Sequence, residues 1–213
     1  IMLCCGYYGI YGLKNDGTVV AAGSNDHVSS WRDITAIELG DNDLYGLTRN
    51  GTVEFASSIY ENNFAKYLHD IISIKHVGDF TAALTSDGRV RSRDVRSTLA
   101  AENSPDSILF TDSWENIVEI SMSGSHIVGL KNDGTAVISG NSNKSGEKNI
   151  KNWKNLKHIE SFGDITIGIT QRGRVLVAGD TGNGKIDTSL WSNIKSILFG
   201  GYSSFTMPNI KDM

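Results

Sequence analysis

The chain has 213 residues, 20 of them basic and 24 acidic, for a formal charge of -4, and 39% are apolar. That balance lacks the basic excess of a nucleic-acid-binding domain, so no nucleic-acid partner is expected. The two cysteines provide no disulfide framework, and no run reaches the roughly 20 apolar residues that a helical membrane span needs.

The chain opens on a strand-like run, Ile1 to Gly6, without the basic stretch and apolar core of a signal peptide. This is the expectation for a mature or excised piece of a longer precursor, cytoplasmic or secreted. Cys4 and Cys5 are neighbours in that run, so their side chains point to opposite faces and a disulfide between them is disfavoured.

A hairpin element then recurs five times: Leu13-Lys-Asn-Asp-Gly17, Leu47-Thr-Arg-Asn-Gly51, Leu84-Thr-Ser-Asp-Gly88, Leu130-Lys-Asn-Asp-Gly134 and Ile169-Thr-Gln-Arg-Gly173. The glycines lie 34, 37, 46 and 39 residues apart. Four copies carry Asp-Gly or Asn-Gly between apolar runs, which predicts type I′ turns. A second element follows each hairpin: Trp31-Arg-Asp-Ile, Leu68-His-Asp-Ile, Trp114-Glu-Asn-Ile, Trp153-Lys-Asn-Leu and Trp191-Ser-Asn-Ile, each leading to a glycine at 40, 78, 124, 163 or 200. Every unit therefore reads as three short strands.

In the third strand of each unit, Val19/Ala21, Val53/Phe55, Val90/Ser92, Ala136/Ile138 and Val175/Val177 are almost all apolar, while the alternate positions range from Val20 to Glu54 and Arg91. One face is buried and the other permissive, as in a sheet stacked on its neighbours. The fold expected is all-β, a β-propeller of about six short, mostly three-stranded blades in one domain over residues 1–213. Ile1 to Gly6 supplies an orphan strand and Ile197 to Met207 begins another unit, so the termini are expected to share a composite blade. Five blades, or an arc of a longer ring, is the alternative.

These repeats resemble those of the regulator-of-chromosome-condensation family, with Ile120-Ser-Met-Ser-Gly-Ser-His126-Ile-Val-Gly-Leu-Lys-Asn-Asp-Gly134-Thr the nearest copy of its motif. The short units are similar in length to those of propeller-type β-lactamase inhibitor proteins and related bacterial propellers. The family's Trp-Gly after the third strand is represented only by Ala22-Gly23, Ser139-Gly140 and Ala178-Gly179. The resemblance implies that the loops between the first and second strands gather on one face and carry partner contacts. Those positions are Tyr7, Tyr8, Asp41, Asn42, Asp43, Asp79, Phe80, Ser125, His126, Asp164, Tyr202 and Ser203. Tyr and Phe there offer large contact area with few rotamers.

Arg89, Arg91 and Arg93 share one strand face by the two-residue period, with Arg96 beyond, and form a candidate patch for an anion or acidic partner. The alternative is a solvated face paired with acids such as Glu54. Gly179 to Lys185 imitates a phosphate loop, but Ile186 replaces the hydroxyl residue that such loops use for magnesium, and no helix pattern follows. The histidines, at 27, 69, 76, 126 and 158, have no metal-ligand spacing. No cofactor is expected. The function expected is a non-catalytic scaffold that docks a protein partner on the loop face. Two alternatives are guanine-nucleotide exchange on a small GTPase, which the resemblance implies, and a lyase or hydrolase site on the propeller axis.

Overall fold

The computed structural model describes residues 2–6, 9–23, 27–40, 43–57, 64–94, 110–140, 147–179 and 186–197. The strands are β1 (Met2–Gly6), β2 (Gly9–Leu13), β3 (Val19–Gly23), β4 (Ile34–Leu39), β5 (Asp43–Thr48), β6 (Val53–Ser57), β7 (Ile71–Val77) and β8 (Phe80–Thr85). They continue with β9 (Val90–Asp94), β10 (Ile117–Met122), β11 (His126–Lys131), β12 (Ala136–Gly140), β13 (Leu156–Phe162), β14 (Ile165–Thr170) and β15 (Val175–Gly179). They make five three-stranded sheets, each from strands consecutive in the chain. No helix among the described residues is long and apolar enough to cross a membrane.

The hairpins between second and third strands form where the repeated glycines predict, with a different turn. Gly17, Gly51, Gly88, Gly134 and Gly173 have φ of 71 to 81°, whereas the residue before each is absent from the positive-φ set. The Gly17 N–H donates to Lys14 O at 3.0 Å and the Lys14 N–H to Thr18 O at 2.9 Å. This is a type I turn closed by a glycine bulge, which needs positive φ at only one position. The residue before the glycine works through its side chain: Asp16 Oδ1 accepts from the Thr18 N–H at 3.0 Å and hydroxyl at 2.6 Å. Asp133 does the same for Thr135 at 2.9 and 2.6 Å. The threonine hydroxyl is the main cause that holds both carboxyls below the ordinary Asp range.

The carbonyl of each turn glycine is taken by the next repeat. Ile34, Ile71, Ile117, Leu156 and Ile194 donate their N–H groups to Gly17, Gly51, Gly88, Gly134 and Gly173 at 2.9 to 3.0 Å. The residue before each donor, Asp33, Asp70, Asn116, Asn155 or Asn193, is left-handed with φ of 56 to 61°. Asn and Asp tolerate that region better than other side chains, which explains why the second repeated element carries one of them there. Asn155→Ala should cost about 1 kcal/mol and Asn155→Gly close to nothing; equal losses in urea titrations of the two variants would remove this account.

Two compact units are present, one within Ile1–Gly78 and one within Asp79–Phe199. In the first, Trp31 is buried with Ile34, Ile37, Leu39 and Leu44, and its ring lies over Gly46, where an added Cβ would fall 2.7 Å from it. In the second, the rings of Trp114 and Trp153 lie over Gly129 and Gly168 in the same way, each 2.9 Å from where a Cβ would be. In these three middle strands the glycine thus makes room for the tryptophan that precedes the sheet. Third strands follow the predicted alternation at their starts, with Val19, Val90, Ala136 and Val175 buried and Val20, Glu54 and Arg91 exposed, but not beyond: Ala21, Phe55, Ser92, Ile138 and Val177 are half-buried, and Ala56, Ser139 and Ala178 on the face expected to be permissive are buried.

Among the described residues the complete sheets number five, which matches the lower expected count. The first strand is not an orphan: β1 pairs with β2 along its whole length, from Met2↔Leu13 to Gly6↔Gly9. The run from Ile197 to Met207 lies, beyond Ile197 itself, outside the described residues. Cys4 is buried with its Sγ 3.8 Å from Ile37 O, while Cys5 is exposed. The two occupy opposite faces, as the strand period requires.

Candidate functional site

Of the expected contact positions, Tyr7, Tyr8, Asp41, Asn42, Tyr202 and Ser203 lie outside the described residues, as does Arg96. Two others are interior and are not rim residues in this chain. Asp43 begins β5 and is 1% exposed, with its Oδ2 3.3 Å from Nε2 of the equally buried His76 on β7. Gly40 makes this possible, because a Cβ there would fall 2.1 Å from His76 Cδ2. The Tyr45 ring lies 4.9 Å from the imidazole and 5.0 Å from the Phe55 ring. A carboxylate can be buried here because an imidazole accompanies it.

His126, the first residue of β11, is fully buried. Its Nδ1 is 3.0 Å from Ser123 Oγ and 3.1 Å from Ser125 Oγ, and its Nε2 is 2.8 Å from Thr166 Oγ1 on β14. Burial pulls its pKa down to about 4, against the opposing charge of Asp164. The neighbouring Ser161 N–H donates to Ser121 Oγ at 2.8 Å, so a second polar stitch joins β13 to β10. This histidine therefore fastens one sheet to the next and presents no edge to solvent.

The remaining candidates reach the surface at the ends of the second unit's sheets where first strands turn into second strands. Asp79 and Phe80 are half-buried before and at the start of β8, Ser125 is half-buried, and Asp164 is exposed. The Ser125 hydroxyl donates to Gly163 O at 2.9 Å, which links two of these turns. Phe162, at the end of β13, is 36% exposed beside Asp164. Sequence reasoning missed it, although an aromatic directly before a turn glycine was the available signal.

The arginine strand is a solvated face. Arg89 pairs with Glu115, not Glu54, at 2.9 Å, with both side chains more than half exposed, a pair worth little in water. Arg91 and Arg93 are exposed on β9. Gly179 ends β15, and the rest of the apparent phosphate loop lies outside the described residues. No group of three metal-ligating side chains occurs among the described residues. His158 instead sits between Glu119 at 2.6 Å and Glu160 at 3.7 Å.

Neither a protein-family model nor a curated protein matches the chain. Solved structures do. The CRINKLY WD40 ectodomain of the Arabidopsis thaliana receptor kinase ACR4 matches with a TM-score of 0.59 at 18% identity, over 84% of this chain and 65% of that one. Human WBSCR16 matches with a TM-score of 0.57 at 15% identity, over 96% and 65%. Prp20p of Saccharomyces cerevisiae, the yeast RCC1, matches with a TM-score of 0.54 at 15% identity, over 81% and 56%. The fold is that of an RCC1-like β-propeller. The chain spans between about half and two thirds of the length of these propeller proteins. At such identities the likeness concerns the RCC1-like scaffold, and function has to be argued from this chain's own surface.

Proposed function

We propose that this chain is a non-catalytic scaffold that docks a protein partner through the turns between first and second strands. The observation that carries the reading is a contrast within each repeat. The opposite turns are fixed by the same glycine-to-amide bond five times over, while the described turns at this end share no such bond, two of them being Gly78-Asp79 and Gly163-Asp164 and the third Gly124-Ser125, and leave Asp79, Phe80, Ser125, Phe162 and Asp164 at least partly open to solvent. Variable polar and aromatic side chains on a rigid frame are how loops acquire partners, and half-exposed aromatics make strong anchors when a partner covers them. Among similar structures, Prp20p has been characterised in its binding to Gsp1p and histones.

The test is capture from native extract. Phe80→Ala and Phe162→Ala together should weaken capture of the partner retained by the unmodified chain at least about tenfold, the scale of losing one aromatic anchor or more. The melting temperature should stay nearly unchanged. Undiminished capture would remove the site, and Tyr7, Tyr8 and Tyr202 would then be exchanged for alanine in turn.

A further inference from the structure

A second surface lies at the opposite end of the sheets, in the unit Asp79–Phe199, where the fifth hairpin meets the segment that follows it. A depression of about 370 Å³ there is lined by Lys157, Arg172 and Lys195 together with Gln171, Gly173, Asn193 and Ile194. Three cations and no acid line it among the described residues.

The repeats show how unusual this is within the chain. Before the turn glycine, the other hairpins carry Asp16, Asn50, Asp87 and Asp133, and this one carries Arg172. After the latched amide, the first three repeats carry Thr35, Ile72 and Val118, whereas the next two carry Lys157 and Lys195. The fifth turn also gives up the Asp-to-Thr bonds that brace the first and fourth, since Arg172 and Arg174 stand at the corresponding positions. A local rule broken without structural gain is what a functional position looks like.

The floor is fixed in spite of that exchange. The Gln171 N–H donates to Asn155 O at 2.7 Å and the Ile194 N–H to Gly173 O at 3.0 Å, and the Gln171 side-chain amide donates to Leu156 O at 3.3 Å. The three cationic side chains thus rise from a held backbone. An arginine offers a planar fork of donors and each lysine an ammonium group, a combination suited to an anion with several oxygens.

We infer that this depression binds a compact oxyanion carrying two or more negative charges, of the phosphate or diphosphate kind. The experiment is calorimetric titration of the full chain with pyrophosphate at low ionic strength. One saturable site is expected, weakening as salt is added. Arg172→Asp, which restores the residue type of the other turns and so suits the hairpin, should weaken binding tenfold or more. Lys195→Ala should weaken it at least threefold and guards against a folding defect in the first variant. Arg91→Asp, on a strand that does not line the depression, should bind as the unmodified chain does. Absence of saturable heat, unchanged binding in Arg172→Asp and Lys195→Ala, or an equal loss in Arg91→Asp would each overturn the inference.

Discussion

Gly179→Ala should destabilise the second unit by about 3 kcal/mol or more, among the largest effects of any single methyl group in this chain. Gly179 ends β15 with φ of 113°, and a Cβ there would fall 1.9 Å from the backbone oxygen of Asp164. That oxygen is backbone and not a side-chain tip that can swing aside, so the backbone of the turn has to move. Gly140 repeats the arrangement with φ of 138° and 2.5 Å to Ser125 O. Gly124 is the control, since nothing lies within 4 Å of an added Cβ, and alanine there should change stability by under about 0.5 kcal/mol. Urea titrations of the two variants decide the matter; a loss below about 1 kcal/mol for Gly179→Ala would show that the turn yields easily.

The second large effect is a pH dependence carried by His126. Burial holds its folded pKa at about 4, below the ordinary 6.5, so between those values the unfolded chain binds a proton that the folded chain does not. The stability attached to the neutral ring is complete above pH 6.5 and is lost as pH falls toward 4. The full difference is on the order of 3 kcal/mol. His126→Gln removes the titrating group, so its stability should fall less steeply over this window than that of the unmodified chain. Unfolding free energies at pH 7.5 and about 4.5 for both proteins provide the measurement. Parallel declines would mean that the imidazole is protonated in place without cost.

The sheets were legible because the hairpin glycines and the alternating third strands are local signals, and each fell where the structure has a turn or a strand. The turn type was not, since Asp-Gly and Asn-Gly suit a type I′ turn as well as a type I turn with a glycine bulge. Only the backbone angle of Asp16 and its counterparts separates the two. The Asp or Asn of the second element was visible as a repeated letter, and its left-handed backbone supplies the reason.

The candidate site was less legible, because exposure at a strand end depends on the neighbouring sheet. Asp43 and His126 look like rim residues beside their turns, yet each faces a polar group on the adjacent sheet, at His76 and at Thr166, which is 40 residues further along the chain. Phe162 is the reverse case: an aromatic that reads as core is left partly outside. Arg172 was visible only as a weak copy of the turn, and its meaning came from the lysines that the structure places around it.

The bond from each turn glycine to the following amide has a bearing on how the chain comes apart. No repeat satisfies all of its own carbonyls, because one of them is completed by residues numbered with the next repeat. A cut made between repeats as the sequence spells them would strand an acceptor on one side and a left-handed Asn on the other. Inside each unit, therefore, loss of order is contagious: melting one repeat uncaps the one before it, and the denaturation of either unit should advance as a front instead of scattering among independent pieces.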